Sequence, residues 1–209
     1  MNATITSTAH YVPEKVLTNS DLEKLVDTSD EWIKSRVGIN QRHVVSDGEA
    51  SSDMSTKVAH SLLEKRGISA ADIDVIIIGT VTPDHPTPST AAIVQNNINA
   101  ENAWAFDLSA ACSGFLYALE TGAKFIESGQ YKTIMVIGVD TMTSILDFED
   151  RETCIIFGDG AGGVILEASK SNTGILGSVL KTDGSGAESL NVLAGGSLSL
   201  IHISEPTRL

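Results

Sequence analysis

The sequence predicts an α/β fold built from parallel βαβ units, and three observations carry that reading. Val75-Ile76-Ile77-Ile78 and Thr133-Ile134-Met135-Val136-Ile137 are continuous apolar runs, mostly β-branched and closed by Gly79 and Gly138, the pattern of strands buried on both faces. Gly163-Val164-Ile165-Leu166 is a third such run. Segments with helical period lie between them, and strands separated by helices favour parallel pairing. With 209 residues, 42% of them hydrophobic and 20% charged, the chain can bury the core of one or two domains.

Taken in order, the elements begin with two helix starts. Ser20-Asp21-Leu22-Glu23 and Thr28-Ser29-Asp30-Glu31 both have the capping-box form, a hydroxyl three residues ahead of a carboxylate. The second opens a helix through Trp32 and Arg36 that stops at Gly38. Four residues apart, Trp32 and Arg36 share a face. An indole beside a guanidinium can hold an aromatic base and an anionic phosphate; a core tryptophan with a surface arginine fits the same spacing. Residues 53–66 place Met54, Val58, Leu62 and Leu63 on one stripe, and Gly67 stops the helix. Helices are also expected over residues 89–98 and 113–127, with an extended run over 103–106 leading into the latter. No internal repeat, low-complexity tract or linker precedes residue 197.

Two motifs bear on chemistry. The run Phe157-Gly158-Asp159-Gly160-Ala161-Gly162-Gly163 invites a dinucleotide reading, but that fingerprint needs a helix after its glycines. Here a strand-like run follows, so a tight backbone passage is the better reading. In Asp107-Leu108-Ser109-Ala110-Ala111-Cys112-Ser113-Gly114-Phe115, a cysteine stands where an extended run meets a helix, among small residues. A helix start offers unpaired N–H groups and partial positive charge, which favour a thiolate and could stabilise an oxyanion. Cys112 thus fits an acyl-accepting nucleophile; spacing alone fits a buried structural cysteine equally well. Cys154, within Thr153-Cys154-Ile155-Ile156, reads as structural.

Composition narrows the classes. The formal net charge is -13, and no basic patch with interleaved aromatics is present, which argues against nucleic acid as a partner. No apolar stretch reaches transmembrane length, and Met1-Asn2-Ala3-Thr4 does not open a signal peptide. Two cysteines without a secretory signal are expected to be reduced thiols in the cytoplasm.

Four motifs, Thr28 to Ile39, Asp107 to Leu119, Asp150 to Gly163 and Thr182 to Leu190, together resemble those of the β-ketoacyl-acyl carrier protein synthase III family in order and separation. The resemblance runs from Thr4 to about Ser197. It implies the N-terminal half of a thiolase-like fold, a mixed, largely parallel sheet with helices on both faces. It further implies transfer of an acyl group from acyl-CoA to a cysteine, then condensation with malonyl-acyl carrier protein with release of carbon dioxide. By this resemblance Cys112 is the nucleophile, Trp32 and Arg151 sandwich the CoA adenine, and Thr28 and Arg36 make further CoA contacts. Phe157 and Leu190 line the acyl pocket. Thr87 stands where many relatives have a phenylalanine that reaches the partner subunit's pocket, so longer or branched primers are expected to fit. Val37 replaces a threonine of some relatives near CoA. The resemblance implies a homodimer at full length, no metal, and no cofactor beyond the coenzyme A thioester substrate.

The family continues into a second half that repeats the first and supplies a histidine, an asparagine and an oxyanion-hole glycine. None of His10, His43, His60, His85 and His202 sits in the matching motif. The domain expectation is therefore residues 1–197 as the condensing-enzyme domain and residues 198–209 as an unrelated or frame-shifted tail. The 209-residue chain is expected not to complete the condensation. A related thiolase-fold acyltransferase, such as an HMG-CoA synthase or a secondary-metabolite starter enzyme, and a non-catalytic acyl-CoA-binding fragment are the alternatives.

Overall fold

The computed structural model describes residues 2–169, 171, 173–192 and 195–197; the expected tail at 198–209, with His202, lies outside them. The chain divides into two units, Met1–Ser178 and Val179–Leu209. The first unit opens with β1 (Ala3–Tyr11), then β2 (Lys15–Thr18), the short helix α1 (Asn19–Leu22), α2 (Asp30–Val37) and β3 (Gln41–Val44). It continues through α3 (Ser51–Arg66), β4 (Val75–Gly79), α4 (Thr90–Asn97), β5 (Trp104–Leu108) and α5 (Gly114–Glu127). Last come β6 (Thr133–Thr141), α6 (Arg151–Cys154) and β7 (Asp159–Ala168). The second unit holds a 3₁₀ turn at Gly184–Gly186, where Asp183 accepts from the Ser185 backbone N–H at 3.0 Å.

Five strands form one sheet in the order β1-β7-β6-β4-β5, and β2 pairs with β3 in a separate ribbon. β4 runs parallel to both β5 and β6, whereas β7 lies antiparallel to β6 and to β1. Four strands of the five therefore point one way, and β7 alone opposes them. The parallel expectation fails at the β6–β7 connection, because α6 is one turn long and too short for a crossover helix that would return the chain to its starting edge.

Alternation along each buried strand sorts side chains onto two faces. Ile76 and Ile78 of β4, Met135 and Ile137 of β6 and Ile165 of β7 pack under α3 and α4, where Met54, Val58, Leu62, Ala91 and Val94 are buried. Val75, Ile77, Ile134, Val136, Val164 and Leu166 pack under α5 through Ala118, Ala123 and Ile126. Helices thus cover both faces, as the sequence implies. A third cluster of Leu22, Ile33, Cys154 and Ile155 lies beside α1, α2 and α6.

Boundaries shift where a side chain other than the expected one caps the helix. Thr18, not Ser20, caps α1, with its hydroxyl accepting from the Asp21 N–H while Asp21 accepts from the Thr18 N–H. Ser29, not Thr28, caps α2 by accepting from the Trp32 N–H at 3.1 Å. Ser89 caps α4 in the same manner. β6 and β7 are each longer than their apolar runs, since ladder pairing continues through Gly138 to Thr141 and back through Asp159 to Gly162.

On the face that carries α5, the side-chain rows end abruptly. Val75, Ile134 and Leu166 lie in register, and so do Ile77, Val136 and Val164; the next row is Gly79, Gly138 and Gly162. The start of α5 settles onto that bare row. A Cβ on Gly79 would stand 2.7 Å from the Gly114 carbonyl carbon, and one on Gly138 would stand 3.0 Å from the Phe115 Cβ. Gly79→Ala should therefore lower stability by about 1–3 kcal/mol, the cost of overpacking against fixed backbone, whereas Gly177→Ala, which meets nothing within 4 Å, should stay within about 0.5 kcal/mol. Urea unfolding of both variants checks this, and equal effects would show that α5 does not rest on the glycine row.

Candidate active site

The glycine row leaves a cavity of about 540 Å³ lined by Gly79, Gly138, Gly158, Gly160, Gly162 and Gly163, with Ala111, Cys112, Phe115, Val139, Asp140 and Met142 completing it. The reason is subtraction: where neighbouring rows fill the layer between sheet and helix with branched side chains, this row contributes hydrogen alone. Gly158, Gly160, Gly162 and Gly163 all belong to the run at 157–163, and from Asp159 onward that run is a strand rather than a phosphate loop. β7 begins at Asp159, and among the described residues no α-helix follows it.

Cys112 sits at the edge of this cavity. The expected helix at Ser113 begins one residue later, at Gly114, and Ala111–Ser113 forms a 3₁₀ turn ahead of it. Cys112 therefore stands before the first turn of α5 rather than within it. Ala111 has φ of +48°, a left-handed conformation that costs an alanine about 1–2 kcal/mol. Non-glycine residues in this region cluster at functional sites, where surrounding structure holds the strained turn in place. The two cysteines differ sharply: Cys112 is exposed, whereas Cys154 is fully buried beside Leu22 and Ile33. Burial pushes the Cys154 thiol up, with the Asp150 carboxylate adding to the shift, which keeps it protonated and inert.

Carboxylates brace the segments around the cavity. Asp107, at the end of β5 on the face opposite α5, accepts from the Thr90 and Ala91 N–H groups at 2.7 and 2.8 Å. This pins the strand end before Cys112 to the N-terminus of α4, where partial positive charge favours an anion. Burial still pushes the Asp107 carboxyl above its ordinary range, with the two N–H donors opposing and nearby Asp84 adding to the rise. Asp140 accepts from the Thr80 hydroxyl, the Val81 and Thr82 N–H groups and the Thr82 hydroxyl, at 2.8–3.2 Å. It thereby folds the loop after β4 over the end of β6. Asp159, which is buried, accepts from the Val45 and Thr143 N–H groups, both at 2.8 Å, and holds the turn that carries Met142. Sequence reasoning missed all three; their signal was an acidic residue at or beside the end of a strand, where an unpaired N–H needs an acceptor.

A second cleft, of about 240 Å³, is lined by Asp27, Thr28, Ser29, Trp32 and Arg151. The Arg151 guanidinium lies over the Trp32 ring at 5.0 Å from the centroid, and Arg36 lies 5.8 Å from it. Residues 119 positions apart in sequence thus meet as one platform. Arg151 also donates to the Asp27 carbonyl at 3.1 Å. The Thr28 hydroxyl oxygen is buried without a hydrogen-bond partner, an atom left to satisfy at the cleft wall. Trp32 is partly buried, between the core and the platform readings of its spacing. Thr28, Trp32, Arg36 and Arg151 therefore come together. Phe157 is partly buried just ahead of β7, and its neighbour Gly158 lines the Cys112 cavity. Thr87 is exposed in the loop before α4, and Leu190, in the second unit, is 70% exposed.

Among the described residues no helix is long and apolar enough to cross a membrane. A family profile described as 3-oxoacyl-[acyl-carrier-protein] synthase III matches residues 106–184, the stretch from β5 through the Cys112 turn to β7 and beyond. A β-ketoacyl-[acyl-carrier-protein] synthase III of Chlorobaculum tepidum is 59% identical over 201 residues, which cover 95% of this chain and 61% of that protein. The crystal structure of a 3-oxoacyl-[acyl-carrier-protein] synthase III from Aquifex aeolicus superposes with a TM-score of 0.79 at 46% identity, over 81% of this chain and 55% of that one. The Thermus thermophilus enzyme superposes with a TM-score of 0.84 at 39% identity, over 88% and 57%. The chain thus spans about three-fifths of the length of the curated relatives it matches. Over that span the chain is similar, in sequence and in its thiolase-like fold, to β-ketoacyl-[acyl-carrier-protein] synthase III proteins.

Proposed function

We propose that this chain carries the acyl-accepting part of a β-ketoacyl-acyl carrier protein synthase III acting in fatty-acid synthesis. The observation that carries the reading is the exposed Cys112 at the mouth of a cavity cleared by glycines. In the first half-reaction the Cys112 Sγ attacks the carbonyl carbon of an acyl-CoA thioester. The bond from that carbon to the CoA sulfur breaks, CoA leaves as a thiolate that takes up a proton, and Cys112 keeps the acyl group as a thioester. The small residues around Cys112 leave room for this approach. Trp32 and Arg151 take the CoA adenine between ring and guanidinium, Arg36 and the unpartnered Thr28 hydroxyl contact the rest of the nucleotide, and Phe157 bounds the acyl chain.

In the second half-reaction malonyl-acyl carrier protein loses carbon dioxide. The resulting carbanion attacks the acyl carbon, and the Cys112 thiolate departs. No histidine or asparagine is among the described residues that line the Cys112 cavity, so this step has no side-chain donor there for the charge that develops on the thioester oxygen. At full length we propose a homodimer in the cytoplasm. Among the described residues β5 ends the sheet with its outer edge unpaired, and Trp104 on it is 42% exposed while stacking on Phe106 at 5.4 Å. An open edge with an exposed aromatic favours pairing with a second copy. Thr87 of one copy then faces the acyl pocket of the other, where its small side chain admits longer or branched primers.

Incubation with acetyl-CoA should place one acetyl group on Cys112 and none on Cys154, read by peptide mass spectrometry; label on Cys154 would sink the assignment. Trp32→Ala and Arg151→Ala should each weaken acyl-CoA binding roughly fivefold, the loss of about 1 kcal/mol of stacking, by calorimetric titration. If neither changes affinity, the adenine is held elsewhere.

The 209-residue chain, given acetyl-CoA and malonyl-acyl carrier protein, should form acetoacetyl-acyl carrier protein at least about 100- to 1000-fold more slowly than a complete synthase, the effect of one lost oxyanion donor. Comparable turnover would show that residues of this chain supply the donors.

For the dimer, Trp104→Asp should lower the sedimentation coefficient toward that of a monomer at concentrations where the parent chain self-associates. No shift would remove β5 from the interface.

A further inference from the structure

Arg42 is a cation in an unusual place. It is 4% exposed, on the two-stranded ribbon between α2 and α3. Its guanidinium donates to the Leu17 carbonyl at 3.2 Å, the Asn19 side-chain oxygen at 2.9 Å and the Ile155 carbonyl at 3.1 Å. All three acceptors are neutral, and its buried Nε has no partner. A buried charge held by neutral acceptors alone is costly, and an apolar side chain of similar volume would fill the site more cheaply.

What the cation connects accounts for its presence. Asn19 is itself 1% exposed, and its amide donates onward to the Asp30 carboxylate at 2.9 Å and the Ile39 carbonyl at 2.8 Å. Those two acceptors bracket α2, one at its first residue and the other just past its end. Ile155 directly follows α6. One guanidinium therefore reaches α2 through Asn19 and the end of α6 through a carbonyl, and those two helices carry Trp32 and Arg151. Gly158 closes the arrangement, because a Cβ there would come within 2.9 Å of the Arg42 Cβ. Other charged and titratable groups facing this center are the Asp30 carboxylate with its Lys34 partner at 2.8 Å, Cys154, and Asp150 at the start of α6.

We propose that Arg42 is a positioning residue that sets the placement of Trp32 relative to Arg151, and so the affinity of the cleft for an adenine nucleotide. The use of that platform by CoA rests on the function proposed above; the placement does not. Arg42 touches no substrate. It acts by clamping two helix ends at a fixed separation with three divergent hydrogen bonds, which a lysine ammonium on a flexible stem cannot reproduce.

The test uses the full 209-residue chain, with Trp104→Phe so that Trp32 is the sole tryptophan, and CoA as the probe. Arg42→Lys should weaken CoA binding by about five- to tenfold, raise iodide quenching of Trp32 and lower its anisotropy, with the far-ultraviolet circular dichroism unaltered. In a Trp32→Ala background the same substitution should have no further effect on CoA affinity. Additive losses would show a general structural role and overturn the proposal, as would a folded Arg42→Lys variant with parental quenching and anisotropy. Should Arg42→Lys fail to fold, Asn19→Asp decides. It gives Arg42 a carboxylate but cannot donate to Asp30 or Ile39, so it should loosen Trp32 and weaken CoA binding by the same route; parental values for both would overturn the proposal. If Trp32→Ala binds CoA as the parent does, the CoA reading falls, and the Trp32 emission of Arg42→Lys alone decides whether Arg42 sets that placement.

Discussion

The close approach of α5 to the ends of β4 and β6 is the contact on which the site depends. Gly114 and Phe115 lie where side chains on Gly79 and Gly138 would otherwise project. The same absence of side chains does two things. It lets the helix seat deeply enough to bury Ala118, Ala123 and Ile126 against the sheet, and it hollows the space that Cys112 borders. Packing and access are set by one row of three residues, so neither can be altered without the other. The strained Ala111 turn and the Asp107 anchor on α4 then fix where the chain leaves the strand and enters the helix.

The Cys112 cavity and the Trp32 cleft are built by different physics. Around Cys112 the determinants are steric: glycine, alanine and a left-handed turn. Around Trp32 they are electrostatic: a buried guanidinium, an amide relay to Asp30, and two further arginines beside one indole. Steric sites tolerate changes of charge and resist changes of volume, and the reverse holds for the second cleft. The overall charge of -13 gives an acidic carrier protein no general attraction to this chain.

The sequence disclosed the buried strands and long helices because their side chains keep a single period over many residues. Ile76 to Ile78 and the Met54-to-Leu63 stripe needed no tertiary context. β1 escaped notice although Ala3, Ser7 and Ala9 are its buried positions, because small and polar residues with a register shift between Ile5 and Ser7 blur the alternation. The antiparallel turn into β7 was invisible for a similar reason, since its direction is decided by the shortness of α6 rather than by the strand itself. Cys112, Trp32 and Arg151 were legible as motifs, and the meeting of Trp32 with Arg151 across the chain was implied by the family resemblance but not by spacing. Helical spacing pairs Trp32 with Arg36; the nearer partner arrives from α6. Arg42 gave no sign at all, because a lone arginine on a short strand is ordinarily a solvated one.

The pairing of β1 with β7 joins Ala3 to Ala168, which places side by side the strands farthest apart in the described sequence. During synthesis β1 leaves the ribosome with no partner for its backbone groups until some 165 residues more have followed, an interval of roughly ten to thirty seconds at ordinary translation rates. Throughout that interval its carbonyl and amide groups remain hydrated and open to pairing with other nascent strands. The α3 helix and the parallel strands β4, β5 and β6 can assemble meanwhile from contacts closer in sequence. Closure of this sheet edge is therefore a late event in the life of the chain, and the period of greatest exposure to misassembly falls before β7 arrives.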